Sequence, residues 1–374
     1  MAGLYVHIPF CRQKCHYCNF YSLATTKHHS QIIRAIIHEL EIRKTYLRGE
    51  KLSTIYFGGG TPSLFQAQTL ASIIEKATKV FGIDKNAEIT VEANPDDINE
   101  RWLSDLQKTD VNRLSIGVQS FDDKDLKYLN RTHTAARAED SIKQALDHGF
   151  DNLSIDLIYG SPMLDDGAWS ENISKAMLTE VPHISAYALT VEPGTALDHF
   201  IRKGKYKPVD DANAARQFNM ILKELDAAGF EHYEISNFCR PGQYSKHNTS
   251  YWFGEKYIGV GPSAHSYDEK SRQWNVSNLK SYIASVDKSE VDFEREILST
   301  SQKFNEYLMT AIRTLWGIDL EKVKTDFGED LLGHLLNEAQ PYLENNQIKL
   351  SQKKITLTNK GKFFADGIAA GMFV

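Results

Sequence analysis

The stretch LYVHIPFCRQKCHYC, residues 4–18, decides how the rest of the sequence is interpreted. It begins as a β-rich segment and then places Cys11, Cys15 and Cys18 at the spacing CxxxCxxC. The chain has four cysteines, and the remaining one, Cys239, lies far away. Three clustered thiols and one distant thiol do not make a disulfide framework. The pattern therefore favours a metal or redox centre in a reducing compartment.

This cysteine loop suits an iron–sulfur cluster. Cysteine sulfur is the usual ligand of such centres, and three thiolates on one tight loop can hold three irons of a four-iron, four-sulfur (4Fe-4S) cubane. The fourth iron then lacks a protein ligand, and an open coordination position is typical of a reactive metal centre. Two alternatives stay open: three unrelated buried thiols, or a zinc site that His7 or His16 completes as the fourth ligand.

Short β-rich segments alternate with helix-patterned segments through the first half of the chain. The predicted strands are Leu4–Ile8, Thr54–Phe57, Glu88–Ala93, Arg113–Val118, Leu153–Ile158 and Ile184–Leu189, and the predicted helices between them include Ser30–Leu47, Ala67–Val80 and Ala135–His148. This alternation predicts an α/β fold with a parallel sheet, either doubly wound or rolled into a barrel. Polar residues or glycines follow nearly every strand, as at the C-terminal mouth of a TIM barrel. Because there are six strands rather than eight, we expect an incomplete, TIM-like (βα)6 barrel.

The pattern changes in the second half of the chain. A helix-patterned stretch leads into aromatic, Gly/Asn-rich residues, and from about residue 301 further helix patterns precede a short β pair and a last helix. The sequence therefore predicts a barrel domain over residues 1–230, a connecting region over 231–300 and a helical, winged-helix-like domain over 301–374.

Composition excludes several classes of protein. The formal net charge is −6, which gives no support to nucleic-acid binding. No apolar run is long enough to cross a bilayer, and the first residues lack the pattern of a signal peptide. We therefore expect a cytoplasmic protein without a nucleic-acid partner.

The cysteine spacing, placed after the first strand of a βα array, resembles that of the radical S-adenosylmethionine (SAM) superfamily. The resemblance implies a 4Fe-4S cluster on the three cysteines, with SAM chelated to the open iron. Reduction of SAM by the cluster gives methionine and a 5′-deoxyadenosyl radical in that superfamily. The implied SAM contacts are Tyr5, Tyr17, Gly59, Gly60, Thr61, Glu92, Gln119, Arg131, Asp156 and Ala188.

The residue types fit the parts of SAM. Glycines lack a Cβ, so their backbone can approach a ligand closely. The guanidinium of Arg131 suits the methionine carboxylate, Gln119 and Asp156 suit ribose hydroxyls, and Glu92 suits an amine or hydroxyl donor. Each residue alone also has an ordinary interpretation: Asp156 could cap a strand end, and Arg131 could be a surface cation.

Longer motifs narrow the resemblance. YVHIPFC at residues 5–11, YFGGGTP at 56–62, GVQSF at 117–121 and DLIYG at 156–160 are similar to the group around oxygen-independent coproporphyrinogen III oxidase. The resemblance covers nearly the whole chain. That group contains the oxidase, which converts two propionates to vinyls in haem synthesis, and a haem chaperone, which delivers haem to respiratory and other haem proteins.

Three features favour the chaperone class. The oxidase motif continues as CxxxCxxCxC, whereas Phe20 occupies the last cysteine position here. The oxidase has a long extension before the first strand, which begins here at about residue 4. The sequence HNxxYW at residues 247–252 resembles the haem-binding motif of the chaperones, which implies a haem site at His247 with Asn248, Tyr251 and Trp252 nearby.

Ordinary interpretations of these residues stay open. A histidine beside Tyr and Trp is often simply a packed, hydrogen-bonded residue. Cys239 could be an auxiliary haem contact, although we expect an ordinary buried thiol. His133, His183 and His265 have no spacing that singles them out. The predicted function is haem binding through His247 and transfer to an acceptor, with the cluster and SAM gating transfer or setting the conformation. The alternative is a radical enzyme acting on a porphyrinogen.

Overall fold

The computed structural model describes residues 2–374 and contains an incomplete parallel barrel. Its six parallel strands are β1 (Ala2–Ile8), β2 (Leu52–Gly59), β3 (Ile83–Ala93), β4 (Arg113–Gln119), β5 (Leu153–Tyr159) and β6 (His183–Ala188). They lie in chain order within the sheet, each hydrogen-bonded in parallel to the next. The α/β fold with six parallel strands that the sequence predicts is confirmed.

Helices cover the outside of the barrel. They are α1 (His29–Ile42), α2 (Ala67–Phe81), α3 (Glu100–Leu106), α4 (Asp123–Tyr128), α5 (Ala135–Asp147), α6 (Asp166–Leu178), α7 (Ala196–Arg202) and α8 (Asp211–Ala227), with a 3-10 turn at Pro62–Leu64. The apolar side chains of α1 to α3, α5, α6 and α8 join those of the strands in one core. Tyr128 of α4 and Leu197 of α7 belong to a smaller apolar cluster. That burial, which contributes roughly 25 cal/mol per Å² of apolar surface, fixes the helices on the sheet.

The inward face of the strands is polar. On β2, Ile55 and Phe57 belong to the apolar core, whereas Thr54 and Tyr56 alternate with them and turn inward, as the two-residue period of a strand requires. The inside of the barrel is called the lumen below. Its polar side chains, which contact one another or His247, include Tyr5, Thr54, Tyr56, Glu88, Glu92, Arg113, Ser115 and Asp156. The barrel therefore encloses a network of polar groups.

Residues 231–300 extend the sheet at both edges. The added strands are β7 (Glu231–Glu234), β8 (Asn237–Cys239), β9 (Lys256–Val260), β10 (His265–Tyr267), β11 (Ser271–Asn275) and β12 (Phe293–Ile297), with helices α9 (Lys246–Trp252) and α10 (Leu279–Val286) between them. Strand β8 pairs antiparallel with β6, and β9 pairs parallel with β1. The sequence does not predict β9, a seventh parallel strand. A Cβ at its Gly259 would lie 2.0 Å from the carbonyl oxygen of His265, so this strand needs a glycine.

The C-terminal part of the chain has a core of its own. Its elements are α11 (Thr300–Ile312), β13 (Ile318–Asp319), α12 (Leu320–Phe327), α13 (Glu329–Glu344), β14 (Ile348–Ser351), β15 (Lys354–Leu357), α14 (Asn359–Lys362) and α15 (Ala365–Ala370). The predicted helices and β pair are confirmed, and β13 adds a third strand to the pair. A separate apolar cluster lies beneath these elements. The three domain boundaries given above stay a prediction.

Within residues 2–374, no helix combines the length and the apolar character that a membrane crossing requires.

Candidate functional site

A cavity of about 440 Å³ opens at the carboxyl ends of β1 to β6 and is called the mouth cavity below. All of the predicted cluster and SAM residues line it except Tyr5. Its lining therefore includes Cys11, Cys15, Cys18, Tyr17, Gly59, Gly60, Thr61, Glu92, Gln119, Arg131, Asp156 and Ala188. Residues from every strand end meet here because parallel strands direct their carboxyl ends to the same edge.

The cysteine loop is held by the last residue of α4 and the segment that follows it. The backbone N–H of His16 donates to the carbonyl of Leu129 (3.1 Å), and the His16 ring nitrogen Nδ1 is hydrogen-bonded to the carbonyl of Tyr128 (3.0 Å). The Asn130 amide donates to the carbonyl of Lys14 (2.9 Å). Residues 128–131, called the clamp segment below, thus fix the loop through hydrogen bonds within the protein. The three thiols are free and half-buried at the mouth cavity.

The structure does not support the zinc alternative, in which His7 or His16 is the fourth ligand. One ring nitrogen of His7 is hydrogen-bonded to the carbonyl of Tyr21 (2.9 Å), and the other to the Tyr5 hydroxyl (3.1 Å). His16 uses one ring nitrogen, Nδ1, for its bond to the clamp segment, and its ring packs edge-on against Phe200 with the centroids 5.0 Å apart. Within residues 2–374, no three His, Cys, Asp or Glu side chains are arranged around a single ion. A cubane spreads its irons apart, so its cysteine ligands need not meet at one point.

Arg131 lies between the cysteine loop and β4. Its Nη1 donates to Sγ of Cys15 (3.3 Å), and its Nη2 donates to the carbonyl of Gly117 (2.7 Å) and to the side chain of Asn94. Its Nε is buried and has no hydrogen-bond partner among the described residues. A buried cation with a spare donor fits a site that holds thiolates and receives a carboxylate.

The glycine loop after β2 is fixed onto the end of β1. The N–H of Gly60 donates to the carbonyl of Ile8 (2.7 Å), and that of Thr61 donates to the carbonyl of Phe10 (2.7 Å). A Cβ at Gly60 would lie 2.5 Å from the Phe10 oxygen, and Gly59 has φ +101°. A side chain at Gly60 would push the glycine loop away from the residues that lead into the cysteine loop, and one at Gly59 would collide with the ring of His7.

Two carboxyl groups in the mouth cavity have raised pKa values. Burial raises the pKa of Glu92 to about 7, although the hydrogen bond from the Tyr56 hydroxyl (2.8 Å) lowers it. Burial also raises the pKa of Asp156 to about 6, although hydrogen bonds from Ser185 and Ser115 lower it. Carboxyl groups whose pKa values lie near neutral pH can accept a hydrogen bond from an ammonium or a hydroxyl. Their positions fit the predicted contacts with SAM.

Tyr5 lies outside the mouth cavity. Its ring is stacked on Tyr56 in the lumen at 6.2 Å, and its hydroxyl is hydrogen-bonded to His7. The side chain alternation of β1 gives the reason: Tyr5 lies three residues before the end of the strand, deeper in the barrel than the cysteine loop. The structure thus does not bring Tyr5 together with the other predicted contacts.

The haem-motif residues lie at the opposite end of the barrel, on α9. His247 is 1% exposed, with Nδ1 hydrogen-bonded to Thr54 (2.7 Å) and Nε2 to Tyr251 (2.9 Å). The Glu88 carboxylate accepts the backbone N–H of His247 (3.0 Å). Burial, and next the charge of Arg113, lower the pKa of His247 to about 3, so the imidazole is neutral.

The other two motif residues, Asn248 and Trp252, lie one helical turn apart on the outer face of α9. The guanidinium of Arg313 lies over the Trp252 ring, 5.6 Å from its centroid. Helix α9 therefore lies between the barrel and the C-terminal domain. The motif residues point in two directions rather than into one open pocket.

Cys239 and the three histidines without a distinctive spacing have structural partners. Cys239 is fully buried on β8, and burial raises its pKa to about 12, as expected of an ordinary buried thiol. His183 is hydrogen-bonded through both ring nitrogens, to Ser154 (2.7 Å) and Tyr233 (2.8 Å). His133 is bonded to the backbone, and His265 stacks on Trp274.

Asn94, which the sequence places at the end of the third predicted strand, also lines the mouth cavity. Asn130 and Tyr187 line it as well and were not expected there. Asn130 directly precedes Arg131, so its place in the chain was a usable signal. Tyr187 gave none, because an aromatic residue within a strand usually packs in a core.

Comparison with known proteins identifies the family. Residues 5–175 match the Radical SAM superfamily, and residues 298–364 match the HemN C-terminal domain. Over 98% of its length the chain is 32% identical to a Mycobacterium tuberculosis protein named Heme chaperone HemW, of which 93% is covered. The chain belongs to the HemW family of radical SAM proteins. A Lactococcus lactis protein named Heme chaperone HemW is 34% identical, with 97% of each chain covered.

The chain also shares its fold with an enzyme of known structure. Coproporphyrinogen III oxidase (HemN) from Escherichia coli, a radical SAM enzyme, matches with a TM-score of 0.83 over 100% of this chain and 90% of the enzyme. The sequence identity is 22%, so this likeness shows the fold alone. Membership of the radical SAM superfamily implies SAM and a 4Fe-4S cluster, and the mouth cavity has the residues to hold both.

Proposed function

We propose that this protein is a haem chaperone that binds haem and delivers it to haem proteins. The observation that carries the proposal is the similarity over nearly the full length to proteins named Heme chaperone HemW. The C-terminal part and the motif helix α9 both lie within the matched length. The neutral imidazole of His247 supports the proposal, because the neutral form is the one that ligates a metal.

The mouth cavity has a supporting role in this proposal. We propose that Cys11, Cys15 and Cys18 hold a 4Fe-4S cluster and that the remaining mouth-cavity residues hold SAM. When bound, the two groups supply one-electron reduction chemistry. The contribution of this chain's own residues is binding and orientation: Arg131 offers its spare Nε to a carboxylate, and Glu92 offers an acceptor to an ammonium.

Haem binding through His247 requires a movement of α9. Both imidazole nitrogens are engaged in hydrogen bonds, and the ring is 1% exposed. A haem iron therefore reaches this imidazole only when α9 leaves the end of the barrel and at least one hydrogen bond opens. The proposed ligand-binding state is an open form in equilibrium with the closed form seen here.

The proposal is tested by haem titration of anaerobically purified protein, followed in the visible spectrum. The wild type is expected to shift the Soret band, and His247→Ala is expected to abolish the shift. His183→Ala is the matched control, because His183 is also buried and bonded through both nitrogens but is not on α9. The proposal is wrong if neither the wild type nor the control shifts the band, or if His247→Ala keeps the full shift.

A porphyrinogen-acting radical enzyme is the second candidate. The observation that favours it is the aromatic border of the mouth cavity, where Phe20 is 64% exposed and Tyr187 is 43% exposed beside the cysteine loop. Such a border suits a flat macrocycle. Conversion of coproporphyrinogen III by the purified, SAM-supplied protein would establish this activity, and the chaperone proposal expects none.

The proposed partners are haem and haem-accepting proteins, including membrane-associated respiratory enzymes, and the proposed location is the cytoplasm. We propose no nucleic-acid partner, because a net charge of −6 does not favour binding to phosphates.

A further inference from the structure

One lumen side chain touches both ends of the barrel. Tyr56, on β2, stacks on the His247 ring with the centroids 4.9 Å apart and the planes 22° apart. Its hydroxyl donates to Oε1 of Glu92 (2.8 Å), and Glu92 lines the mouth cavity. A single aromatic ring therefore connects the histidine of α9 with the carboxyl group that faces SAM in the proposed function.

We propose that Tyr56 is a positioning residue that couples the mouth cavity to α9, so that SAM in the cavity keeps His247 in its buried position. This inference rests on the proposed function, since haem ligation by His247 is the event that is coupled. It adds the sign of the coupling and the residue that transmits it.

The sign follows from the charge of Glu92. Because its pKa is raised to about 7 by burial, this carboxyl group is divided between neutral and charged forms near neutral pH. The ammonium of SAM in the mouth cavity favours the charged form. A charged carboxylate accepts a shorter and stronger hydrogen bond than a neutral one, so the Tyr56 hydroxyl is held more firmly.

A firmly held Tyr56 opposes the opening of α9. The Tyr56 hydroxyl is the donor in its bond to Glu92. The imidazole of His247 packs on the face of this ring and is bonded to Thr54 on the same strand. Fixing the ring preserves the surface on which His247 packs, and opening α9 has to abandon that surface. SAM binding therefore weakens haem binding, and thermodynamic reciprocity requires haem to weaken SAM binding by the same factor.

The test is a haem titration of the cluster-loaded protein with and without saturating SAM. In the wild type, SAM is expected to weaken haem binding about fivefold, a typical size for coupling between two sites. Tyr56→Phe keeps the ring but removes the hydroxyl, so the effect of SAM is expected to disappear. Tyr233→Phe is the matched control, since Tyr233 donates or accepts a buried hydrogen bond with His183 (2.8 Å) without contacting Glu92.

The outcomes separate this inference from the proposed function. If His247→Ala and the wild type bind haem equally, the proposed function fails and the coupling fails with it. If the wild type binds haem through His247 but SAM leaves the affinity unchanged or raises it, only the coupling is overturned. Retention of the full SAM effect in Tyr56→Phe also overturns it.

A second measurement needs no variant and covers the case in which Tyr56→Phe does not fold. Amide hydrogen exchange in α9 of the wild type is expected to slow about fivefold when SAM is added, because the closed form is favoured. The backbone N–H of His247, which donates to Glu88, is the most direct probe. Exchange in α9 that SAM does not slow contradicts the coupling.

Discussion

Replacing Thr54 by valine tests whether the closed position of α9 controls access to haem. The change keeps the shape of the side chain and removes the hydroxyl that is bonded to Nδ1 of His247 at 2.7 Å. Thr54 is 1% exposed, so no bulk water replaces the lost partner. Leaving a buried imidazole nitrogen unpaired costs about 1–3 kcal/mol, and this cost applies to the closed form only.

The expected effect on haem binding follows from the population of the open form. If the closed form loses about 1.4 kcal/mol, the open fraction rises about tenfold while it remains a minor species. Because only the open form ligates haem in the proposed function, the apparent Kd for haem falls about tenfold. Anaerobic titration followed at the Soret band measures the Kd, and urea unfolding measures the accompanying loss of stability.

Ser154→Ala provides the matched control. Ser154 is buried and bonded to a histidine nitrogen at the same 2.7 Å, but that histidine is His183, which is not on α9. The control is expected to lose a similar amount of stability with no change in haem affinity. An unchanged haem Kd in Thr54→Val, together with a loss of stability equal to that of the control, would refute the link between α9 and haem access.

Three further predictions concern the mouth cavity. Replacing any one of the three loop cysteines by serine is expected to remove the visible absorbance of the reconstituted cluster, and Cys239→Ser, which changes a fully buried thiol, is expected to retain it. The pKa of Glu92 is about 7 in the folded protein, above its unfolded value, so its contribution to apoprotein stability is present at low pH and is lost as the pH rises from about 4 to 7. Between pH 5 and 7.5, the free energy of unfolding measured with urea is therefore expected to decrease less in Glu92→Gln than in the wild type. Asn130→Ala removes a hydrogen bond of the clamp segment, and this variant is expected to release cluster iron to a chelator several-fold faster. Its control is Asn346→Ala in the C-terminal domain, which is expected to leave iron release unchanged. Both residues have a positive φ, 61° and 54°, so both changes carry the same backbone cost of about 1 kcal/mol.

The mouth cavity could be predicted from the sequence because its residues follow directly from the strands. Once the βα alternation identifies a strand, the residues at or just beyond its carboxyl end lie at the mouth, and Gly60, Glu92 and Gln119 were found in this way. The depth of a residue within a strand is harder to judge. Tyr5 was expected at the mouth and lies below it, because the cysteine loop begins three residues beyond the end of β1.

The location of α9 could not be predicted from the sequence. Its partners Thr54 and Glu88 belong to strands far earlier in the chain, and no local periodicity records such a contact. The edge strands were missed for a related reason. Strands β7 and β8 contain four and three residues, too few for alternation to be recognised, and their positions depend on pairing with β6 and with each other.

The polar lumen explains why closure of α9 can be both stable and reversible. A barrel interior is normally filled by branched apolar side chains, which gain nothing from exchanging partners. Here α9 is held on the barrel by hydrogen bonds with Thr54 and Glu88, each of which contributes about 1 kcal/mol net. Water satisfies the same groups when the helix leaves, so the opening cost is far below that of extracting an apolar helix. In the proposed function, the bond between His247 and the haem iron offsets that cost. Closure restores the hydrogen bonds when haem departs, so the same contacts that delay haem capture favour haem release to an acceptor.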